Sequence, residues 1–510
     1  MTAAPVGEGA PDRLTDEQLI AAGTNFRKIF LEAAPGSGKT TVAAQRFGVC
    51  RYRIPGIGSA AVDPRGVLAV SFTKSATREL QERVRKTWGP TSLSWPHRIV
   101  TLDSLIHDLL SHLLSRGLIK WPGGHTSLEV KDTWKVLVEH EWTRSVAQVY
   151  LFNDAVAVRV TYEASNTRPV PSAFADAVSN GLCTHEDVRR IVDFALKRPD
   201  LLNALRSHLA RTIRELIVDE VFDANELDIR VIELALAAGV DVTLIGDPWQ
   251  ALYGFRGARP DLVPALLSSA EVRTLRLSKS FRWRTEEQAE LADALRLGRP
   301  VAIKPVLDQD LLAVGADVVL ASLWGDLWSA GPIVVPIAFG SAKGNIVEAA
   351  TTLLLNQFTS VLFAIKATYL SDALSTLGVA EDDLQHLEYG LAGVLEMVEA
   401  AGNKDDWNHA YRALVSVIEP ASRVTFPKVH ANYTARLKLL QPRIRAAGQA
   451  IPGMTVHQAK GREWDVVACR FTDSEVEHLA RGLTNANEKH RQLYVACTRA
   501  RYATRRLVVA

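Results

Sequence analysis

At 510 residues the chain is too long for one hydrophobic core, and its ordinary balance of apolar and charged residues predicts a globular protein of roughly two to four domains. Its formal charge of +2 supplies no global field for a polyanion, so a nucleic-acid partner would need basic groups gathered in a groove. The four cysteines, Cys50, Cys183, Cys469 and Cys497, form no C-x-x-C pair, which argues against a zinc ribbon, an iron–sulfur cluster or a disulfide framework and predicts reduced, buried thiols.

The first twelve residues are small and polar with no apolar h-region, and no uninterrupted apolar stretch is long enough to span a bilayer, so a cytoplasmic protein is expected. Thr15 followed three residues later by Gln18 predicts a capped amphipathic helix. Phe30-Leu31-Glu32 then reads as a strand end and Thr41-Val42-Ala43-Ala44-Gln45-Arg46-Phe47 as the first turns of a helix. Between them, Ala33-Ala34-Pro35-Gly36-Ser37-Gly38-Lys39-Thr40 has the spacing of a phosphate-binding loop in its strand–loop–helix setting. Gly36 and Gly38 let the backbone wrap phosphate oxygens, the helix N-terminus adds partial positive charge, Lys39 adds a full charge near the β/γ-phosphates, and Thr40 is placed to ligate magnesium. An ordinary Gly-rich turn before a helix is the bland alternative.

Residues 51–64 are rich in Gly and Pro and read as a loop leading to a strand, Gly66-Val67-Leu68-Ala69-Val70-Ser71-Phe72, that stops at Thr73. A second short strand, Arg98-Ile99-Val100-Thr101-Leu102, meets Asp103-Ser104 in the same way. Hydroxyls at the strand ends of a parallel α/β sheet are good neutral donors to a phosphodiester, and helix capping explains either one equally well. Residues 109–210 are mostly helical by period. Glu215-Leu216-Ile217-Val218-Asp219-Glu220 reads as a buried strand ending in two acids; beside a phosphate-binding loop, Asp219 suits the magnesium shell and Glu220 activation of the attacking water. Val242-Thr243-Leu244-Ile245-Gly246 is a further strand, leading to Gln250, an amide that could sense a γ-phosphate, and to Tyr253, Phe255 and Arg256, the equipment for stacking unpaired bases.

In their order along the chain these segments resemble a UvrD/Rep-type superfamily 1 DNA helicase. The segment from Gly246-Asp247-Pro248-Trp249-Gln250 through Phe255-Arg256-Gly257-Ala258 resembles motif III of that family. Gly453-Met454-Thr455-Val456-His457-Gln458-Ala459-Lys460-Gly461-Arg462-Glu463-Trp464 resembles motif V, Arg491-Gln492-Leu493-Tyr494-Val495-Ala496-Cys497-Thr498-Arg499-Ala500 motif VI, and 277–282 motif IV. The implied fold is α/β: two RecA-like P-loop domains with parallel sheets, plus helical inserted subdomains. Residues 1–108 and 211–280 would form the first RecA-like domain around a helical insert at 109–210. Residues 281–384 and 448–510 would form the second around a small helical insert at 385–447. Pro332-Ile333-Val334-Val335-Pro336-Ile337 and Ser360-Val361-Leu362-Phe363-Ala364-Ile365 are expected to be two of its strands.

The resemblance also implies roles. ATP and Mg2+ would be held by Gln18, Ala34, Pro35, Gly36, Ser37, Gly38, Lys39, Thr40, Thr41, Phe281, Gly461 and Glu463, with Thr40 and Asp219 on the metal. Phe281 would pack on the adenine, Gln18 would read it, and Glu463 would hold the ribose. Lys39, Glu220 and Gln250, with Arg282 and Arg499 as arginine fingers, would carry the chemistry. Thr73, Ser104, Tyr253, Phe255, Arg256, Thr455 and His457 would grip DNA that has a single-stranded segment. Departures are Phe222 and Ala224, where the family carries an amide and a hydroxyl, Ser280-Phe281-Arg282-Trp283 for N-Y-R-S, and a short span between motifs IV and V, which marks a compact member. The implied activity is a 3′–5′ DNA translocase and helicase. The alternative is a DNA-sensing ATPase subunit that regulates a partner such as a nuclease; a small-molecule kinase would have no use for the segments around Gln250, His457 and Arg499.

Overall fold

The computed structural model describes residues 13–53, 63–131, 134, 145–162, 171–340, 345–428 and 431–509. The polar stretch read at 1–12 and most of the loop read at 51–64 lie outside the described residues. Those that are described fall into two compact units, within Glu8–Phe281 and within Arg282–Ala510.

In the first unit β1 (Lys28–Ala33), β2 (Gly66–Ser71) and β3 (Arg98–Thr101) are followed by four strands outside the main sheet, β4 (Glu129–Lys131), β5 (Ser145–Phe152), β6 (Ala155–Tyr162) and β7 (Leu182–Thr184), and then by β8 (Ile213–Val218), β9 (Asp241–Gly246) and β10 (Arg273–Leu277). The main sheet has the order β10-β1-β9-β8-β2-β3, and every neighbouring pair is parallel. Parallel strands are buried on both faces, which is why these segments read as continuous apolar runs instead of alternating ones. Val67, Ala69, Ile217 and Ile245 pack on one face beneath Val42, Ala43 and Phe47 of the helix Lys39–Tyr52. Leu68, Val70, Leu216, Val218 and Leu244 pack on the other, with Leu105, Leu109 and Leu113 of the helix Leu102–Ser115.

The stretch expected to be helical at 109–210 contains the helices Pro171–Ser179, His185–Ala195 and Pro199–Thr212, and also the parallel β4–β7 pair and an antiparallel β5–β6 hairpin. The hairpin turns between Phe152 and Ala155 with Asn153 at φ 52°, a backbone state that Asn tolerates well.

The second unit holds β11 (Pro305–Leu307), β12 (Val318–Ala321), β13 (Val334–Pro336), β14 (Ile451–Thr455), β15 (Trp464–Arg470) and β16 (Ala500–Val508), in the order β11-β16-β15-β12-β14-β13, again all parallel. The strand expected at 360–365 is absent. Ser360–Phe363 is instead the last turn of the 18-residue helix Ile346–Phe363, capped by Asn345, whose side chain accepts from the N–H groups of Val347 and Glu348 at 3.0 and 3.1 Å. Leu354, Leu355 and Phe358 are buried while Val361 is exposed, the pattern of a helix face; a six-residue apolar run is too short for periodicity to separate the two states.

This helix packs with Leu370–Leu377, Leu384–Ala400, Lys404–Ile418 and Ala435–Arg445 in one core that includes Leu353, Leu374, Leu391, Tyr411 and Leu437. The helical assembly therefore starts at Ile346, and the expected boundary at 385 falls inside it. Ile346–Phe363 is long and apolar enough to cross a membrane by length and composition, and 56% of that window is buried inside this core. All four cysteines are buried.

Candidate functional site

Apart from Gln18, on the helix ahead of β1, the candidate segments of the first unit follow the carboxyl ends of strands: 34–38 follows β1, Thr73 β2, Ser104 β3, Asp219 and Glu220 β8, and 247–256 β9. The loop after β1 is held from both sides. Gln18 Nε2 donates to the Ser37 carbonyl at 2.9 Å, while its Oε1 accepts from the Thr15 N–H at 3.0 Å in a capping box, so Gln18 both caps the start of its helix and braces the loop. Ser280 Oγ donates to the Pro35 carbonyl (2.7 Å), the Phe281 N–H to the Gly36 carbonyl (2.9 Å), and Ser37 Oγ to the Ala34 carbonyl (2.7 Å). Gly36 and Gly38 sit at φ 72° and 84°, and a Cβ on Gly38 would lie 2.7 Å from Gln18 Nε2. Four successive carbonyls are thus engaged by neighbours, a backbone arrangement suited to presenting N–H groups to an anion at the start of the helix Lys39–Tyr52. Thr41 Oγ1 accepts from Arg83 Nη1 at 3.1 Å.

β9 and β8 bring the remaining polar groups alongside. Lys39 Nζ lies 3.7 Å from Glu220 Oε1. Glu220 has φ 59° and ψ 46°, a left-handed conformation that costs a residue with a side chain about 1–3 kcal/mol and is characteristic of functional sites. Asp219 is buried, and burial together with the adjacent Glu220 pushes its carboxyl well above the ordinary carboxylate range. Its Oδ1 has no hydrogen-bond partner among the described residues. Gln250 Nε2 donates to Asp247 Oδ2 at 2.8 Å, and Asp247 Oδ1 accepts from the Trp249 N–H at 3.2 Å, so the fully buried Asp247 orients the amide.

The donor set fits a magnesium–nucleotide. A buried carboxylate oxygen without a partner is costly unless a cation satisfies it. Among the described residues no group of three or more His, Cys, Asp or Glu side chains is assembled to bind a metal, so a cation here would take most of its oxygens from phosphates and water. Asp219 and Thr40 are the residues that would hold it.

Beyond β9, Tyr253 and Phe255 meet edge to face at 6.1 Å, and Arg256 stands over both rings, 5.1 and 5.4 Å from their centroids. Phe255 is 62% exposed, which a core aromatic cluster would not be. This loop is tied to the acid-bearing segment: the Arg259 N–H donates to the Ala224 carbonyl at 2.7 Å, and Asn225 forms a bridge with Ala258. Phe222, the departure from the family pattern, is buried edge-on to Phe30 at 6.0 Å; a Cβ on Gly246 would lie 2.9 Å from its ring. Thr73 Oγ1 accepts from the Ala76 N–H at 3.1 Å, and Ser104 Oγ lies 2.9 Å from Thr101 Oγ1. The Thr73 hydroxyl therefore caps its helix and still has its own proton to donate, while Ser104 Oγ pairs with the hydroxyl of the capping Thr101.

The second unit gathers its candidates after β14 and around β15 and β16. Thr455 caps the helix Val456–Ala459, which carries His457, and its N–H donates to Gln458 Oε1 at 3.0 Å. Gly461, at φ 83°, turns the chain toward Glu463. Arg282 pairs with Glu463 at 3.0 Å and donates to the Thr498 carbonyl at 2.8 Å. Arg499 is buried, its Nε donating to the Val495 carbonyl at 3.1 Å. Two residues expected to act separately, Arg282 on phosphate and Glu463 on ribose, are here partners of each other.

The sequence profile of the UvrD/REP helicase N-terminal domain matches residues 14–187 and 177–270, and that of the UvrD-like helicase C-terminal domain matches 412–508. The chain belongs to the UvrD/Rep helicase family. It is 26% identical over 291 residues to DNA helicase II of Escherichia coli (strain K12), covering 53% of this chain and 38% of that protein. It is 26% identical over 270 residues to ATP-dependent DNA helicase Rep of the same strain (49% and 38%), and 23% over 296 to DNA helicase II of Haemophilus influenzae (53% and 38%). The chain thus spans 38% of the length of each of these curated relatives. Gln18 through Arg256 lie within the first match and Thr455 through Arg499 within the second, while Phe281 and Arg282 fall between them.

Three groups at this UvrD/Rep-type site were not singled out in the sequence. Glu17 accepts from Ser278 N–H and Oγ at 2.8 and 2.6 Å, contacts that hold its carboxyl below the ordinary range and tie the capped helix to the end of β10. Ser280 grips the loop carbonyl, and Asp247 orients Gln250. Only Asp247 had a readable signal, an acid at the N-cap before Pro248.

Proposed function

We propose that this chain is an ATP-dependent DNA translocase and helicase that moves 3′ to 5′ on single-stranded DNA. The observation that supports this reading best is the meeting, at the carboxyl ends of adjacent strands β1, β9 and β8, of a braced phosphate loop, an oriented amide and an acid pair with a buried oxygen that has no partner among the described residues. Loop amides and Lys39 bind the phosphates, and Glu220 accepts the proton of the attacking water. Gln250, held by Asp247, reports the γ-phosphate to the loop carrying Tyr253, Phe255 and Arg256. Thr40 and Asp219 would hold Mg2+, which when bound would supply positive charge against the charge developing on the transferring phosphate. Phe281 and Gln18 are the candidates for the adenine, Gly461 and Glu463 for the ribose, and Arg282 and Arg499 for the phosphates. Thr73, Ser104, Tyr253, Phe255 and Arg256 form one strand grip and Thr455 and His457 another; changing their hold in alternation moves the strand.

Streptavidin displacement tests the direction. With ATP, the protein should clear streptavidin from a 5′-biotinylated oligonucleotide much faster than from a 3′-biotinylated one of the same sequence. The reverse preference would overturn the polarity, and no displacement from either end would overturn translocation.

A further inference from the structure

We propose that Arg46 is a positioning residue for phosphoryl transfer, a buried guanidinium that sets where Lys39 stands relative to Asp219, Glu220 and Gln250. This rests on reading the loop 34–38 as the ATP site. Arg46 lies seven residues after Lys39 on the helix Lys39–Tyr52, hence on the same face and about 10 Å further along it. It is 1% exposed. Its Nε donates to Glu215 Oε1 at 3.0 Å and to Thr243 Oγ1 at 3.1 Å, Nη2 lies 2.9 Å from Glu215 Oε1, and Thr243 Oγ1 itself donates to Glu215 Oε1 at 2.8 Å. Glu215 and Thr243 are as deeply buried.

The spacing of these partners carries the inference. Glu215 stands four residues before Asp219, and Thr243 four residues before Asp247, on neighbouring strands β8 and β9. Four residues is an even number of strand steps, so each partner shares the strand face of the site residue about 13 Å above it. Arg46, Glu215 and Thr243 therefore repeat, one level down, the triangle of Lys39, the acid pair and the Asp247–Gln250 segment. The remaining guanidinium contacts reach a fourth element: Nη1 donates to the Thr24 carbonyl at 2.6 Å, at the C-cap of the helix that carries Gln18, and Nη2 to the Phe26 carbonyl at 3.5 Å. Arg214, the neighbour of Glu215, fixes the far end of the same helix through the Cys50 and Arg51 carbonyls at 2.9 and 3.3 Å.

Apolar side chains would fill this space and still let the helix slide on the sheet. A planar fork bonded to two strands and a helix end does not. A buried ion pair adds little stability over well-packed apolar groups, so what this one supplies is a fixed geometry.

The test uses the full chain with Arg46→Lys and the double variant Arg46→Met/Glu215→Met, which removes both buried charges together. For each, the readouts are the melting temperature, kcat and KM for ATP with single-stranded DNA, and amide hydrogen exchange of the peptide spanning the phosphate loop. The double variant should melt near the wild type while its kcat falls about 10- to 100-fold, the size expected when a reacting group is displaced by a fraction of an ångström to an ångström. KM should change less than about threefold, and loop exchange should accelerate about tenfold in both variants. A double variant with wild-type melting, wild-type kcat and wild-type loop exchange would show that Arg46 only fills space. Should the double variant fail to fold, unaltered kcat and exchange in a folded Arg46→Lys protein would overturn the proposal. If the wild type hydrolyses no ATP, the ATP-site reading fails, and loop exchange decides alone: faster exchange in the variants supports the positioning role, unchanged exchange refutes it.

Discussion

The two six-stranded sheets carry their candidate residues in opposite electrostatic conditions. At the ends of β1, β9 and β8, Asp219 keeps a buried oxygen without a hydrogen-bond partner among the described residues, Glu220 is held at positive φ, and Lys39 lies 3.7 Å from Glu220. Around β14, β15 and β16 the corresponding groups are well engaged: Arg282 with Glu463 and a carbonyl, Arg499 with a carbonyl, Thr455 with Gln458. The first arrangement is preorganised for a ligand at some cost to the empty fold. In the second the arginines already have partners, and to act on a phosphate they would have to exchange them.

The largest test of this contrast falls on the satisfied side. Arg499→Lys keeps the charge and loses the fork; if Arg499 acts on the transferring phosphoryl group, kcat should fall by about a thousandfold or more with a small change in melting temperature. A loss of melting temperature with unchanged kcat would make Arg499 a purely structural arginine and break the comparison. On the poised side, Glu220→Gln should lower hydrolysis by about 100- to 10,000-fold while leaving nucleotide affinity nearly unaltered; equal losses in both would assign Glu220 to binding instead.

At the strand grip the effects are smaller. Phe255→Ala should weaken single-stranded DNA binding by about 1–3 kcal/mol irrespective of sequence, and Arg256→Ala should reduce the salt dependence by about one counterion. Undiminished affinity in both variants would return the cluster to a structural role. The smallest effect sharpens the preorganisation claim. Because the folded protein holds the Asp219 proton to higher pH than the unfolded chain does, the contribution of Asp219 to stability should be fullest in acid and be lost as pH rises from the ordinary carboxylate range toward neutrality. Asp219→Asn should flatten that part of the profile, as read by denaturant melts at several pH values, and an identical profile would deny the strain.

Much of the first sheet was legible because fully buried parallel strands leave apolar runs bounded by turn residues, and Gly36, Gly38 and Asp219 sit at those bounds. The capping box of Thr15 and Gln18 was equally plain. The helix Ile346–Phe363 was not, since its last turn, Ser360–Phe363, is as apolar and short as a strand and only the burial of Leu354, Leu355 and Phe358 on one face decides it. The β5–β6 hairpin was missed although Asn153-Asp154 between Val- and Ala-rich runs is a two-residue turn signal. Within the candidate site, spacing singled out groups whose residue types suit a ligand. It could not identify those that hold them, because Asp247 on Gln250, Ser280 on the loop carbonyl and Arg282 on Glu463 are pairings made by the fold.

Steady-state ATP hydrolysis by the purified chain, measured with Mg2+ in the absence and presence of single-stranded DNA, tests the central claim most directly. Hydrolysis that rises several-fold on adding DNA and vanishes in Lys39→Ala is the predicted result. Hydrolysis indifferent to DNA, or surviving in Lys39→Ala, would contradict it.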